Sequence, residues 1–182
     1  FRNAYDVAFN REGELFTYDS DMEWDVGMPW YRPTRVCHVV SGAEFGWRNG
    51  SSKWPADSFD SLPAAVDLEL GSPTGIVFCS GTNFPSPWRE ALFACDWAYG
   101  RIFAVHLTPQ GSSYTGTSEI FASGQPFPVT DIEVGRDCAL YVTVELWRIR
   151  SSPPSEADRS SRKMAASGLA TNCPTKSPME RR

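Results

Sequence analysis

Four acidic side chains occupy alternate positions in one short stretch of the sequence. They are Asp19, Asp21, Glu23 and Asp25. In an extended segment alternate side chains point to the same side, so we expect the four carboxylates on one face. Hard cations such as Ca²⁺ prefer carboxylate oxygens, and we predict Asp19, Asp21 and Glu23 as metal ligands. The glycine and the spaced glutamate of an EF-hand loop are missing, and a solvated acidic loop is the alternative interpretation.

Aromatic and guanidinium groups follow this acidic stretch, at Trp30, Tyr31, Arg32 and Arg35. Aromatic faces stack on the C–H surfaces of sugars, and a guanidinium group binds anionic groups in a fixed fork. We therefore predict that Trp30 and Tyr31 bind substrate, and that Arg32 and Arg35 bind an anionic group. Packing of the core and rim is the alternative role. Flanking prolines indicate a loop rather than a strand.

Two other places in the sequence carry groups suited to binding or catalysis. Arg2, next to Asn3, offers a cation that can bind a carboxylate through two hydrogen bonds. The alternative is structural, with Arg2 capping the ends of strands and Asn3 ordering a turn. The two histidines, His38 and His106, lie in strand-like patterns, which are more typical of structural histidines than of a base or ligand. The sequence pattern contains no Ser-His-Asp set, phosphate-binding glycine loop or metalloprotease motif.

Composition limits the possible classes of protein. The 182 residues are 41% hydrophobic and 21% charged, which suits one globular domain or part of a larger one. The net charge of -5 argues against a nucleic-acid partner, which requires a basic face. No apolar run reaches the roughly 18 residues of a membrane helix, and no signal peptide is recognisable. The chain opens without Met, apparently inside a domain, and we expect a fragment.

The cysteines and the C-terminal part give weaker indications. The five cysteines, at positions 37, 79, 95, 138 and 173, are spaced too widely for a zinc motif. Their odd number favours buried free thiols, with one disulfide if the protein is exported.

Residues 145–182 lose the hydrophobic pattern and become rich in Ser, Pro, Arg and Ala. We predict that this tail is disordered or the product of a shifted reading frame.

The elements that must position these groups are short strands separated by Gly, Pro, Asn and Asp turns. The pattern occurs three times along residues 1–144, with Val7, Ile76 and Ile132 at one equivalent position and Leu15, Leu92 and Leu140 at another. Repeating units of several strands are typical of β-propeller blades. We therefore predict an all-β fold of about two blades plus part of a third. A β-sandwich or another all-β array is the alternative.

Several motifs resemble the glucose/sorbosone dehydrogenase family, which has six-bladed β-propellers of the soluble quinoprotein type. They are Phe1-Arg2-Asn3, Val7-Ala8-Phe9, Gly13-Glu14-Leu15, the acidic loop, Gly42-Ala43-Glu44-Phe45-Gly46-Trp47, Ser72-Pro73-Thr74-Gly75 and Gly100-Arg101-Ile102. The segments Tyr18–Asp25 and Trp30–Val36 look most like the propeller of planctomycete-type membrane-bound dehydrogenases. The resemblance covers residues 1–144.

The resemblance implies a cofactor site at the mouth of the propeller channel, where the family binds pyrroloquinoline quinone (PQQ) and Ca²⁺. Arg2 and Asn3 match the family's cofactor-binding pair, and the loop Asp19–Asp25 matches its calcium-associated loop. The chain also departs from the family. The cofactor-site Lys falls at Ala98, the Arg-rich loop falls near 127–130 without an Arg, and the catalytic His belongs to an earlier blade. Arg32 or Arg35 could replace the missing cationic groups.

The function implied by the resemblance is oxidation of a sugar or other alcohol, with electrons passed to a quinone or a cytochrome c. The resemblance also implies a periplasmic or extracellular location, and haem c only in a separate module. The chain alone is expected to be inactive. The alternative is a non-catalytic propeller that binds carbohydrate or protein, which the missing Lys and Arg residues favour.

Overall fold

The structure of the protein is a computed structural model that describes residues 1–48, 61–80, 82–145 and 163–165. This part of the chain forms three antiparallel sheets and, in place of α-helices, two short 3-10 turns at Glu23–Asp25 and Trp88–Glu90. The second turn lies in the stretch Ser86–Ala91. The prediction of an all-β fold is confirmed.

The first two sheets have four strands each, in sequence order. The first contains β1 (Val7–Phe9), β2 (Leu15–Asp19), β3 (Arg35–Val39) and β4 (Val66–Asp67). The second contains β5 (Pro73–Phe78), β6 (Leu92–Asp96), β7 (Arg101–Gln110) and β8 (Ser113–Ser123). The third has the order β11-β10-β9, from β9 (Val129–Val134), β10 (Leu140–Val144) and β11 (Lys163–Ala165).

Alternation along β6 explains how the sheets stack. Leu92 and Ala94 belong to a core shared with the first sheet, whereas Phe93 and Cys95 belong to a core shared with the third. Successive side chains of a strand point to opposite faces, so a strand that is apolar at every position is buried on both sides. All five residues of β6 are buried. The second sheet is therefore the middle layer of three.

The first strands of the three sheets lie next to one another. The Asp6 carboxylate accepts a hydrogen bond from the backbone N–H of Ile76 at 3.1 Å, which joins the entry to β1 to β5. On the other side of β5, a Cβ at Gly75 would lie 2.7 Å from Cα of Asp131, so β5 and β9 approach closely. Adjacent first strands are the arrangement of propeller blades around a channel.

The predicted repeat is confirmed by the strand positions. Val7, Ile76 and Ile132 all lie in first strands, and Leu15, Leu92 and Leu140 each begin a second strand. Because first strands begin and second strands end at the same end of each sheet, the loop 20–34 and the turn 97–100 project from that end. The segments that lead into β1, β5 and β9 also lie there. We call this the upper end.

The structure adds elements that the hydrophobic pattern does not reveal, namely β4, β8 and β11. β8 is largely exposed, so its sequence lacks apolar alternation. β11 is a three-residue strand that pairs with β10, and apart from Glu145 the rest of the predicted tail lies outside the described residues. Three of the cysteines, at positions 37, 79 and 95, are free and buried, as predicted, and Cys138 is disulfide-bonded.

Candidate functional site

The acidic stretch is not extended. Its centre folds into the 3-10 turn Glu23–Asp25, which breaks the alternation after Asp21. The prediction that all four carboxylates share one extended face is therefore wrong. Asp19 and Asp21 are buried, while the Glu23 side chain is 61% exposed. The carboxylates thus face different surroundings and have different partners.

Asp19 binds the protein's own backbone. Its carboxylate accepts hydrogen bonds from the N–H groups of Arg2, at 3.0 and 3.1 Å, and of Asn3, at 2.8 Å. It also pairs with the guanidinium of Arg35 at 3.6 Å, and both side chains are at most 5% exposed. Asp19 therefore fixes the chain before β1 against the ends of β2 and β3. The Asn3 residue is exposed and contributes its backbone to this contact.

The Arg2 side chain lies over the acidic loop. It donates through Nη1 to the Ser20 hydroxyl at 2.9 Å and through Nη2 to Glu23 at 3.1 Å. Its guanidinium carbon lies 5.6 Å from the ring centre of Trp24, within the range of a cation–π contact. Arg2 is thus held by groups of this loop.

Asp21 and Tyr31 form the one direct contact between a predicted metal ligand and a predicted substrate-binding residue among the described residues. The Tyr31 hydroxyl donates to Oδ2 of Asp21 at 2.7 Å. The second oxygen, Oδ1, is buried and has no hydrogen-bond partner among the residues that the structure describes. Burial raises the pKa of Asp21 above its ordinary value, against the lowering effect of the Tyr31 hydrogen bond. Burial, and then the bond to Asp21, also raises the pKa of Tyr31.

Arg32 and Trp30 occupy different surroundings. Arg32 donates to the Ser61 hydroxyl at 2.9 Å and to the carbonyl of Phe45 at 3.3 Å, and burial lowers its pKa. Trp30 is 39% exposed on the loop 20–34. The segment that contains Phe45 also packs on this loop, because the Trp47 indole donates to the Met22 sulfur at 3.1 Å.

The second blade repeats the Asp19 arrangement with Asp96. Its carboxylate accepts from the N–H groups of Ser72, at 2.8 Å, and Ala98, at 3.1 Å, and pairs with Arg101. Arg101 also pairs with Glu69, and its guanidinium lies over the Tyr99 ring at 4.7 Å. The sequence analysis does not find this repeat of the Asp–Arg pair. The signal was available, since Leu-Phe-x-x-Asp occurs at both 15–19 and 92–96.

The described side chains do not assemble a calcium site. No group of three or more His, Cys, Asp or Glu side chains comes together in the part of the chain that the structure covers. The Asp19 carboxylate is hydrogen-bonded to backbone N–H groups and paired with Arg35, and Glu23 is paired with Arg2. The arrangement does not fit a Ca²⁺ ion held jointly by Asp19, Asp21 and Glu23.

The predicted cofactor residues do not form an open cationic cluster either. PQQ carries three carboxylates and requires cations that are available to them. Arg2 already pairs with Glu23, and Arg35 is buried against Asp19. This arrangement does not fit a tricarboxylate held by Arg2 and Arg35. Binding of PQQ by Arg2, Asn3, Arg32 and Arg35 stays a prediction.

Comparison with known proteins gives matches to solved structures. No protein-family model matches the chain, and no curated protein matches its sequence. An oxidoreductase from Thermus thermophilus, described as a glucose dehydrogenase, is 20% identical with a TM-score of 0.63, over 79% of this chain and 39% of its own. The PQQ-bound aldose sugar dehydrogenase from Streptomyces coelicolor is 14% identical with a TM-score of 0.56, over 79% and 37%.

A third structure, named glucose dehydrogenase, is 17% identical with a TM-score of 0.58, over 78% of this chain and 40% of its own. The chain therefore spans about two fifths of the length of these proteins. Within the described residues, no helix has the length and apolar character needed to cross a membrane. The three stacked sheets have the fold of the sugar-dehydrogenase propellers, over part of their length.

Proposed function

We propose that this chain is part of a propeller that oxidises a hydroxyl group of a sugar or another alcohol. The observation that carries the proposal is the carboxylate of Asp21 at the upper end of the first blade. One of its oxygens is held by Tyr31, and the other has no hydrogen-bond partner in the described part of the chain. The solved sugar dehydrogenases of the same fold support the choice of substrate class.

Oxidation of an alcohol requires a group that takes the hydroxyl proton as the hydride leaves carbon. An ordinary aspartate is a weak base at neutral pH, and catalysis improves as the pKa of the base approaches the working pH. Burial raises the pKa of Asp21 in this direction. The proposed role of Asp21 is to accept the hydroxyl proton at Oδ1, while the Tyr31 hydroxyl fixes the carboxylate through Oδ2. Because Oδ1 is buried, this role requires the loop 20–34 to move and uncover it.

Exposed aromatic rings on the same loop would hold the substrate. Trp24 is 64% exposed and Trp30 is 39% exposed. Flat apolar rings suit the C–H faces of a sugar, whose hydroxyl groups then point to polar neighbours. This supports a carbohydrate over a small aliphatic alcohol as the substrate.

We assign no residue of this chain to the binding of the oxidant. PQQ, when bound, would supply a quinone that accepts the hydride. Because Arg2 and Arg35 are paired with carboxylates, the proposal places the residues that hold the oxidant outside the described part of the whole protein. Electron transfer to a cytochrome c and a periplasmic or extracellular location belong to the same proposal.

Sugar titration tests the substrate part of the proposal. Binding of glucose would change the fluorescence of Trp24 and Trp30. Replacing Asp21 by Asn should weaken the affinity for glucose about tenfold, because the hydrogen bond between the sugar and the Asp21 carboxylate is charge-assisted. Glu23→Gln is the matched control, because Glu23 is exposed on the same loop. Absence of any sugar-dependent change would contradict the proposal.

A second candidate function is carbohydrate binding without oxidation. The pairing of Arg2 with Glu23 and of Arg35 with Asp19 favours it, because it removes two cations from the predicted cofactor site. The two functions separate when sugar binding and sugar-dependent reduction of a dye are measured on the same protein. Binding without reduction supports this second candidate.

A further inference from the structure

Three side chains from two blades form a line of hydrogen bonds at the lower end of the sheets, opposite the candidate site. Oε2 of Glu14 lies 3.0 Å from Nε2 of His38, and Nδ1 of the same ring lies 3.2 Å from Oγ of Ser113. Glu14 precedes β2 and His38 is on β3 of the first blade, while Ser113 begins β8 of the second. The sequence separates His38 from Ser113 by 75 positions, so no motif reveals this set.

The carboxylate decides which nitrogen of His38 carries the proton. An ionised Glu14 only accepts hydrogen bonds, so Nε2 of the neutral ring must be the donor. Nδ1 then keeps its lone pair and accepts the hydrogen bond of the Ser113 hydroxyl. The result is a nucleophile, a base and a group that orients the base, in the order required for nucleophilic catalysis.

Packing and further hydrogen bonds hold the three residues in place. The His38 ring is 6% exposed and lies between Phe16, stacked at 5.1 Å, and the edge-on ring of Tyr114, at 5.1 Å. Asn10 accepts the backbone N–H of Glu14 through Oδ1 at 2.8 Å and donates through Nδ2 to the Tyr114 hydroxyl oxygen at 3.1 Å. The Tyr114 O–H proton is left for another acceptor.

Two members of this network, Asn10 and Tyr114, also line a cavity of about 310 Å³. Its wall includes the apolar residues Phe78, Leu107 and Pro109, and also the charged residues Arg11, Glu12 and Glu90. The apolar part of this wall suits a small acyl group. The Ser113 residue is partly exposed.

We propose that Ser113, His38 and Glu14 form a second active site, which hydrolyses small carboxylic esters and is independent of the proposed alcohol oxidation. Oγ of Ser113 attacks the ester carbonyl carbon as its proton passes to Nδ1 of His38. The new C–Oγ bond gives a tetrahedral intermediate whose oxyanion takes a hydrogen bond from Tyr114. The bond from carbon to the alkoxy oxygen then breaks, and His38 gives its proton to the leaving alcohol.

Water completes the cycle. His38 takes a proton from a water molecule, which attacks the acyl carbon, and the C–Oγ bond breaks. The proton returns to Ser113 and the acid leaves, so that ester and water become acid and alcohol. Ser113 and His38 are catalytic residues in this scheme, and Glu14 is a positioning residue that acts through His38.

A fluorophosphonate probe and p-nitrophenyl acetate test the proposal on the full chain. We expect mass spectrometry to locate the phosphonyl adduct on Ser113 and not on the adjacent, exposed Ser112. Ser113→Ala should lose the adduct and lower the ester hydrolysis rate on the order of 10²-fold or more, while Ser112→Ala keeps both. Glu14→Gln should lower kcat with little change in KM, since its role is to set the ring and not to bind the ester.

Labelling of the unmodified chain does not depend on any variant folding correctly. No adduct on Ser113, or equal labelling of Ser112, would overturn the proposal. Ester hydrolysis that is unchanged in Ser113→Ala would do the same. A loss of activity in Ser113→Ala counts as support when its thermal midpoint matches that of Ser112→Ala.

Discussion

Arg101 binds Asp96 through two nitrogens, with Nε at 2.9 Å and Nη2 at 2.7 Å from the same carboxylate oxygen. The two residues are opposite each other in the register of β6 and β7, as Asp19 and Arg35 are in β2 and β3. Each aspartate also accepts backbone N–H groups from the chain that leads into the first strand of its blade. The pair therefore closes the upper end of the first two blades. Val144 ends β10, so the third sheet lacks the acid.

Replacing Asp96 by Asn should strongly destabilise the protein. The change keeps the shape but removes the fully buried charge that faces the Arg101 guanidinium, whose other partner, Glu69, is exposed. Breaking a buried pair from one side costs about 3–5 kcal/mol of unfolding free energy. Denaturant unfolding measures the loss, with Glu133→Gln on the exposed face of β9 as the control. A cost equal to that of the control would show that the pair contributes nothing.

Asp21 should make the protein less stable at neutral pH than under mild acid. Its pKa is raised in the folded state, so ionisation disfavours folding at pH values above that raised pKa. As the pH falls through the raised pKa the penalty disappears, and below the ordinary pKa both states are protonated. Asp21→Asn should therefore raise the thermal midpoint more at pH 7 than at pH 4. An equal change at both values would contradict the assigned ionisation.

The contact between the first strands can be tested at Gly75. A Cβ there would lie 2.6 Å from the Asp131 carboxylate and 2.7 Å from its Cα, and the latter belongs to the backbone of β9. Gly75→Ala should therefore push β5 and β9 apart and cost about 1–3 kcal/mol of unfolding free energy. In Gly111→Ala the Cβ meets nothing within 4 Å, and the cost comes from its φ of +60° alone. If the two blades were not packed as described, Gly75→Ala would cost less than Gly111→Ala.

The free thiols should be unreactive until the protein unfolds. Cys37 and Cys95 are fully buried, and burial raises the pKa of Cys37 to about 12 and raises that of Cys95 as well. A thiol reacts through its thiolate, so neither residue should react with a disulfide reagent at pH 8. Titration before and after adding denaturant, with peptide mapping, checks this. Rapid labelling of Cys37 in the folded protein would contradict the packing of the first blade.

Strands with a clear apolar pattern were predictable from the sequence, and so was their repetition. Leu92 to Cys95 is apolar at each position, which is the pattern of a strand buried on both faces. β8 gives no such signal, because its edge position leaves most of its side chains in water. A strand of this kind is held by its neighbour β7, and neighbours are not visible in a local pattern.

The contacts made by the predicted site residues could not be read from the sequence. The loop that carries Asp21 and Tyr31 was found, because acidic and aromatic residues cluster there. The sequence could not show that the Asp19 carboxylate accepts hydrogen bonds from backbone N–H groups sixteen and seventeen positions earlier. Nor could it show that Ser113 meets His38, since that contact depends on the packing of two blades.

Sugar-dependent reduction of an artificial electron acceptor tests the central claim most directly. The assay uses the protein expressed from its complete reading frame, with PQQ and Ca²⁺ added, and compares it with Asp21→Asn and Glu23→Gln. We predict reduction that depends on an aldose, that falls on the order of 10²-fold or more in Asp21→Asn, and that persists in Glu23→Gln. A protein that binds the sugar but reduces no acceptor would contradict the claim and leave carbohydrate binding as the function.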